Sequence, residues 1–335
     1  MNFASLGDGM QHFHLQRNNT ALKTALNSLT GQLSSGEVSD KVKASGGDTT
    51  RFNAIDNRLK VLDSFSQSIK ETQQTLSTTQ VLLDNFDSKR DAMTGSLLLV
   101  IPDSSDFQIE EASRAARNSF DGLVSTLNTR LGDESLFSGT AVNQAALTSP
   151  AVMLADIVTQ IGGSTDFNVI TATVNTWFDD PAGGFLTLGY QGDLGEKPER
   201  HLDNDTRIKL GVRADDAGIK AVLKGAVLAA IGQELSGLDK RTQAALLFEG
   251  GLQLQSAADD IAQVKGRIGY FEGEVERIAI SQSSEISALS MARNLITQAD
   301  PFEVATELKA VQLQLETHYA MTARLSRLSL VEYLR

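Results

Sequence analysis

The sequence contains no cysteine, only five prolines and one tryptophan, and aromatic residues make up 6% of it. Without cysteine the chain can form no disulfide, no cysteine-ligated zinc site and no thiol nucleophile. The scarcity of aromatic residues argues against a large aromatic core. The hydrophobic fraction of 41% instead suits helices packed through leucine, isoleucine, valine and alanine.

Positive charge and long apolar runs are also scarce. The formal net charge is -12, and without a basic cluster the chain has no electrostatic footprint for nucleic acid or an anionic membrane. No run approaches the ~18 apolar residues of a membrane-spanning helix. The opening residues, MNFASLGDGM, lack the basic and apolar regions of a cleaved secretory signal. We expect no nucleic-acid partner and no membrane partner and, for a secreted chain, export without such a signal.

Catalytic and metal-binding signatures are missing as well. The sequence has no P-loop, dinucleotide-binding, nucleophile-elbow or zincin motif. The histidines lack metal-ligand spacing, and the paired carboxylates lack the glycine and terminal glutamate of a calcium loop. We therefore predict no enzyme activity, no catalytic residue, no cofactor and no metal. The residues considered were His12, His14, His201, His318, Asp179, Asp180, Asp203, Asp205, Asp215, Asp216, Asp259 and Asp260.

Apolar residues recur at heptad positions near the N-terminus and predict a helix over about 10–35. The helix contains several weak helix formers, so in isolation it should be marginal and need a partner. Its stripe consists of Leu15, Leu22, Leu26, Leu29 and Leu33.

A second, longer helix is predicted from about residue 50 to 99. Asp48 is a suitable N-cap, and Pro102 ends the helix. Ser105 and Gln108 then form a capping box for a third helix, about 106–131. The unbroken seven-residue stripe of the long helix consists of Ile55, Leu62, Ile69, Leu76 and Leu83.

Helical periodicity returns at about Leu238 and continues to the C-terminus. Asp300 is an expected N-cap and Pro301 an expected first residue for the last helix. The coiled-coil seam before it comprises Ile261, Val264, Ile268, Phe271, Val275 and Ile278. The apolar face of the last helix comprises Val304, Leu308, Val311, Leu315, Leu325 and Leu328.

The middle of the chain is richer in glycine and turns. It predicts short helices near 152–161, 168–178 and 216–231, strands over 185–191 and 206–212, and a core position for Trp177 and Phe178. We predict a mainly α, elongated helical bundle or coiled coil built from both ends of the chain, with a small inserted α+β domain. The predicted domains are 1–45 with 301–335, 46–140 with 238–300, and 141–237.

Two segments resemble the bacterial flagellin superfamily. LNSLTGQLSSG, residues 26–36, is similar to the family's LxxLSSG helix end, and DPFEVATEL, residues 300–308, is similar to the start of its C-terminal helix. Gly46-Gly47-Asp48 departs from the DDP or DDA segment of many relatives. The resemblance covers about residues 1–140 and 240–335 and implies a flagellin-like helical bundle.

Two further motifs resemble the hook-associated members of this family. They are ESLFSGT, residues 134–140, and LSRLSLVEYL, residues 325–334. This resemblance implies a secreted structural subunit of the extracellular flagellum, exported by the flagellar type III apparatus and forming a ring at the hook–filament junction. The implied partners are other copies of the chain, the other hook-associated junction protein, flagellin and the export apparatus, with an export chaperone as a further candidate.

The stripes of the long helices suit an intramolecular core, whereas those of the terminal helices suit contacts between subunits. The alternatives are a filament flagellin and, more remotely, an extracellular helical adhesin or a flagellin with an enzyme in its insert. The predicted assembly residues are Leu15, Leu22, Leu26, Leu29, Leu33, Val304, Leu308, Val311, Leu315, Leu325, Leu328, Leu330, Tyr333 and Leu334.

Overall fold

The computed structural model describes residues 4–195, 199–209 and 211–333, and its account of side chains leaves out residues 4–9, 11–12 and 325–333. Helices dominate this part of the chain, which confirms the prediction of a mainly α fold. The helices are α1 (Ala4–Ser35), α2 (Lys41–Ala44), α3 (Thr50–Leu97), α4 (Asp106–Leu127), α5 (Pro150–Ile161), α6 (Phe167–Asp179), α7 (Ala217–Ala230), α8 (Lys240–Ser256), α9 (Ala258–Thr297) and α10 (Pro301–Tyr333).

The strands form two short antiparallel hairpins. In the first, β1 (Arg130–Leu131) pairs with β2 (Glu134–Ser135). In the second, β3 (Glu199–His201) pairs with β4 (Arg207–Lys209) in the register Glu199↔Lys209. The second predicted strand of the middle segment, 206–212, is therefore shorter than predicted.

Polar side chains set the helix starts that the sequence predicts. The Asp300 carboxylate accepts hydrogen bonds at 2.8 and 3.3 Å from the second and third backbone N–H groups after it, so it caps α10. Ser105 forms the predicted capping box of α4. The Asp48 carboxylate accepts a hydrogen bond of 2.9 Å from the backbone N–H of Thr50 at the start of α3.

The predicted strand over 185–191 is wrong, since this segment contains a π-helix, Phe185–Gly189. The backbone N–H of Tyr190 donates a 2.6 Å hydrogen bond to the carbonyl of Phe185. The ring of Phe185 contacts buried Trp177 edge to face, with centroids 6.1 Å apart. A short apolar run is compatible with either structure, and packing against the aromatic cluster favours helical winding here.

Helix α4 ends at Leu127, earlier than the predicted residue 131. The side chain of Asn128 donates a 2.9 Å hydrogen bond to the carbonyl of Leu147 and accepts one of 2.8 Å from its backbone N–H. This pairing turns the chain out of the helix, so β1 can begin at Arg130.

The backbone divides into two compact units. We call Met1–Asp63 with Ser283–Arg335 the terminal unit and Ser64–Gln282 the central unit. In the central unit, one continuous cluster of buried apolar side chains includes Leu83 of α3, Ile261 of α9 and Trp177 of α6. Residues of the long helices and of the middle segment thus share one core, and the division into three domains remains a prediction.

The heptad stripes of the long helices are buried as predicted. All five stripe residues of α3, from Ile55 to Leu83, are buried. In α9 the seam from Ile261 to Ile278 is buried except for Phe271, which is half-buried. These side chains therefore form intramolecular core, the interpretation that their spacing favours.

Candidate assembly surface

The candidate surface lies in the terminal unit, where α1 packs beside α10. The ammonium of Lys23 lies 6.0 Å from the centroid of the Tyr319 ring. Leu29 follows Lys23 in α1, and it packs in one cluster with Val304, which precedes Tyr319 in α10. The two helices therefore run antiparallel, and their heptad stripes face each other.

The described stripe residues are covered unevenly. Leu29 and Val304 are buried, and Leu308 and Val311 pack against them. Leu33, in contrast, keeps 44% of its surface exposed. The half-buried members are Leu15, Leu22, Leu26 and Leu315. The side chains of Leu325, Leu328, Leu330 and Tyr333, and all of Leu334, lie outside the described residues.

Short backbone pairing ties the segment after α1 to the segment before α10. The N–H of Val38 donates a 2.8 Å hydrogen bond to the carbonyl of Thr297, and the N–H of Ala299 donates a 2.9 Å bond to the carbonyl of Gly36. Beside them, Arg293 forms an ion pair of 3.3 Å with Glu37. These contacts hold the two ends of the chain in register next to the small apolar cluster.

The helix pair leaves an open groove of about 340 Å³. Its walls are largely apolar, and Glu307 stands at its edge. Among the described residues, Glu307 has no ion-pair partner. The groove is lined by Ala25, Ser28, Leu29, Gln32, Glu307, Ala310 and Val311.

Several large apolar residues of the terminal unit lie outside the predicted stripe and face solvent. Phe302 at the start of α10 is 82% exposed and Leu295 near the end of α9 is 83% exposed, and Met291 and Leu313 are also exposed. Heptad spacing does not predict these residues, because they lie off the stripe. The signal that could have found them is an apolar residue off the stripe on a helix that already has an internal partner.

Each of the terminal helices carries a buried polar side chain whose hydrogen-bonding capacity is not satisfied among the described residues. Both ring nitrogens of His318 in α10 are buried without a hydrogen-bond partner among the described residues. The side-chain oxygen of Asn19 in α1 is in the same state. Burying polar atoms without partners costs free energy, so this part of the helix pair is held less firmly than the apolar part.

The two units differ in charge. Residues 1–63 and 283–335 contain twelve basic and twelve acidic side chains, and residues 64–282 contain eighteen basic and thirty acidic ones. The terminal unit is therefore formally neutral, and the whole net charge of -12 belongs to the central unit. Copies of the chain can approach through the terminal unit without net like-charge repulsion.

Comparison with known proteins agrees with this architecture. Residues 253–334 match the bacterial flagellin C-terminal helical region. FlgL from Bacillus cereus superposes with a TM-score of 0.51 at 14% identity, covering 72% of this chain and 100% of that chain. A protein described as a flagellar hook-associated protein from Vibrio parahaemolyticus superposes with a TM-score of 0.51 at 13% identity, covering 72% and 93%.

The fold is flagellin-like. The match over residues 253–334 confirms the resemblance to the flagellin superfamily, and the two superpositions show that the fold is shared with hook-associated proteins. No curated protein matches the chain by sequence.

Within the flagellin-like fold, the LFSGT motif is partly buried in the central unit, where it contacts two later segments of the chain. Phe137 is buried, and its carbonyl accepts a 2.9 Å hydrogen bond from the backbone N–H of Ala214. Gly139 has a φ of +68°, and a Cβ there would lie 2.9 Å from the carbonyl oxygen of Asp193. The Thr140 hydroxyl donates to the Asp193 carboxylate, and this hydrogen bond lowers the pKa of Asp193. The motif therefore has a structural role here.

Two of the carboxylates considered as metal ligands, Asp203 and Asp215, have local partners. The Asp203 carboxylate accepts a 2.8 Å hydrogen bond from the backbone N–H of Asp205. Asp215 forms an ion pair of 2.8 Å with Arg213. Throughout the described residues, histidines and carboxylates form no cluster suited to a metal ion. None of the described helices combines the length and apolarity needed to cross a membrane.

Proposed function

We propose that this chain is a non-enzymatic structural subunit of the bacterial flagellum, located outside the cell, that joins the hook to the filament. The observation that carries the proposal is the fold similarity to FlgL over the full length of that structure, together with the flagellin C-terminal helical region at residues 253–334. The LFSGT motif and the SLVEYL ending support the hook-associated branch over a filament flagellin.

The terminal unit supports an assembly role. Its helices carry the stripes of Leu15 to Leu33 and Val304 to Leu315, and several of these side chains stay half-exposed in the single chain. Burial of apolar surface contributes about 25 cal/mol per Å², so contact with neighbouring copies would stabilise these helices. The remaining predicted assembly residues, Leu325, Leu328, Leu330, Tyr333 and Leu334, would extend the same surface.

The proposed partners follow from the junction role. Other copies of the chain would form a ring, with the other hook-associated junction protein on one side and flagellin on the other. Export would use the flagellar type III apparatus, with a chaperone shielding the terminal stripes before assembly. No nucleic acid and no membrane is among the proposed partners, since the chain is acidic.

A deletion strain tests the junction role. Cells that lack the chain should make hooks but lose their filaments into the medium, and expression of the intact chain should restore attachment. Electron microscopy of cells and of the culture supernatant gives the readout. Filaments that remain attached to hooks in the deletion strain would contradict the proposal.

A filament flagellin is the second candidate, because the matching family model is the C-terminal helical region of flagellin itself. Purified chain added to filament seeds separates the two. Extension into long filaments would favour a flagellin, whereas seeds that stay at constant length would favour the junction role.

Truncation tests the place of assembly. Removal of residues 1–35 or 301–335 should abolish attachment of filaments to hooks, because each deletion removes one partner of the α1–α10 pair. The central unit should keep its helical circular dichroism, since its core contains none of these residues. A truncated chain that still restores attachment would rule out assembly through the terminal unit.

A further inference from the structure

We propose that the chain contacts a second copy of itself through two different surfaces of the terminal unit, the outer face of α10 and the groove beside α1. We define the outer face as Phe302, Lys309 and Leu313. In this contact, the Phe302 side chain of one copy enters the groove of the next copy. The inference rests on the proposed assembly function and gives it specific contact residues.

The two apolar residues of the outer face of α10, Phe302 and Leu313, are uncovered in the single chain. At about 100° per residue, positions seven and eleven residues after Phe302 return to within about 20° of it, so Lys309 and Leu313 share its side of the helix. Phe302 is 82% exposed and Leu313 is exposed as well. An exposed phenylalanine of this size is a typical anchor of an interface between proteins.

The groove suits such an anchor in size and in charge. Its volume of about 340 Å³ can hold a large apolar side chain, and Ala25, Leu29 and Ala310 are among the residues that line it. Glu307 at its edge and Lys309 on the outer face have no ion-pair partner among the described residues. When Phe302 of one copy occupies the groove of another, Lys309 lies on the side of the helix that faces the groove and can approach Glu307.

The two surfaces cannot satisfy each other within one chain. Phe302 and Ala310 lie eight residues apart on the same helix, which corresponds to about 12 Å along its axis, and they point to different sides. A contact between unlike surfaces of identical chains is heterologous and repeats from copy to copy, closing into a ring where the rotation allows. The formal neutrality of the terminal unit favours a second copy over a strongly charged partner.

Engineered cysteines test the contact directly, because the chain has none of its own. The variant carrying Phe302→Cys and Ala310→Cys is expressed in the deletion strain, and isolated flagella are mildly oxidised. A disulfide needs Cα atoms within about 7 Å, so the pair can close only between copies. We expect a ladder of dimers, trimers and larger species on a non-reducing immunoblot, which collapses to monomer on reduction.

The control pair is Phe107→Cys with Ala310→Cys, since Phe107 is a comparably exposed phenylalanine of the central unit. It should give monomer with no ladder. A ladder of equal extent from this pair, or monomer alone from the Phe302 pair, would overturn the proposed contact. Parent chain, with Phe302 intact, that is absent from isolated flagella on a reducing gel would instead overturn the proposed function, and the inference with it.

The variant Phe302→Ala tests the importance of the anchor. Because Phe302 is exposed, the purified variant should keep the melting temperature of the parent chain, yet fewer hooks should carry filaments. Phe107→Ala, the matched control, should leave both quantities unchanged. If Phe302→Ala reduces the number of hooks with filaments while the cysteine pair gives no ladder, Phe302 contacts a different protein. The proposal that Phe302 enters the groove of a second copy would then be wrong.

Discussion

The central unit and the terminal unit are built from similar long amphipathic helices, yet they bury them to different extents. In the central unit, α3 and α9 contribute to a cluster that also includes the aromatic side chains of Phe86, Phe120 and Trp177. In the terminal unit, α1 and α10 meet around a small cluster of Leu29, Ala299 and Val304. The difference shows that the same heptad pattern can occur in a fully buried core and on a surface that stays partly exposed.

Charge separates the two units in the same way. The central unit carries the full net charge of -12, which favours solubility and keeps copies of this unit apart, whereas the terminal unit is formally neutral. In the proposed assembly through the terminal unit, this distribution would be favourable, because the contacting units carry no net charge.

Leucine-to-alanine substitutions test most directly whether the two units differ in packing. Leu83→Ala in the central core should cost about 2–5 kcal/mol of local stability, because the site is fully enclosed and a cavity remains. Leu29→Ala should cost clearly less, since the open groove already borders this residue. Hydrogen exchange resolved by peptide gives the stability of each unit. Equal costs at the two positions would mean that the terminal cluster is as well packed as the central core.

Glycine substitutions test how tightly the LFSGT motif is packed in the central unit. Gly139→Ala should destabilise it by about 1–3 kcal/mol, because the positive φ is strained for alanine and the new Cβ would meet the Asp193 carbonyl. Gly132→Ala is the control, since its φ of +60° brings the same strain while nothing lies within 4 Å of the added Cβ. Denaturant unfolding should show the larger loss at Gly139. If both substitutions lowered the free energy of unfolding equally, Gly139 would be required for its backbone conformation and not for its close contact with Asp193.

Replacement of the unsatisfied histidine should strengthen the terminal unit. His318→Leu removes two buried nitrogens that have no hydrogen-bond partner among the described residues, so a gain of about 1 kcal/mol is expected. Slower hydrogen exchange in α10 peptides would show it. Exchange in peptides of the central unit serves as the internal reference, and faster exchange in α10 would mean that His318 supports the helix pair.

The smallest expected effect is a pH dependence in the terminal unit. Arg58 donates hydrogen bonds of 2.7 and 3.0 Å to Glu285 and so lowers its pKa. A lowered folded-state pKa means that the contribution is complete above the unfolded-state pKa and is lost as pH falls through the folded-state pKa. Since both side chains are partly exposed, about 0–1 kcal/mol is expected. Below pH 4, the stability difference between the parent chain and Glu285→Gln should therefore shrink, and a constant difference would argue against this titration.

Local signals in the sequence predicted much of the fold because they act over a few residues. The capping groups at Ser105 and Asp300 and the stripe of α3 all appear where the sequence indicates. The segment over 185–191 was predicted wrongly because a short apolar run has no decisive period. Its winding depends on contact with Trp177, a residue of the preceding helix.

By itself, the sequence determined the helical ends, the start of the last helix and the acidic character of the chain, since composition and periodicity are properties of neighbouring residues. Only the tertiary structure decided which face of each terminal helix is available. It turned Leu29 and Val304 toward each other and left Phe302 outside. The reason is physical: a helix buries the face that its partner covers, and a one-dimensional pattern does not contain the position of the partner.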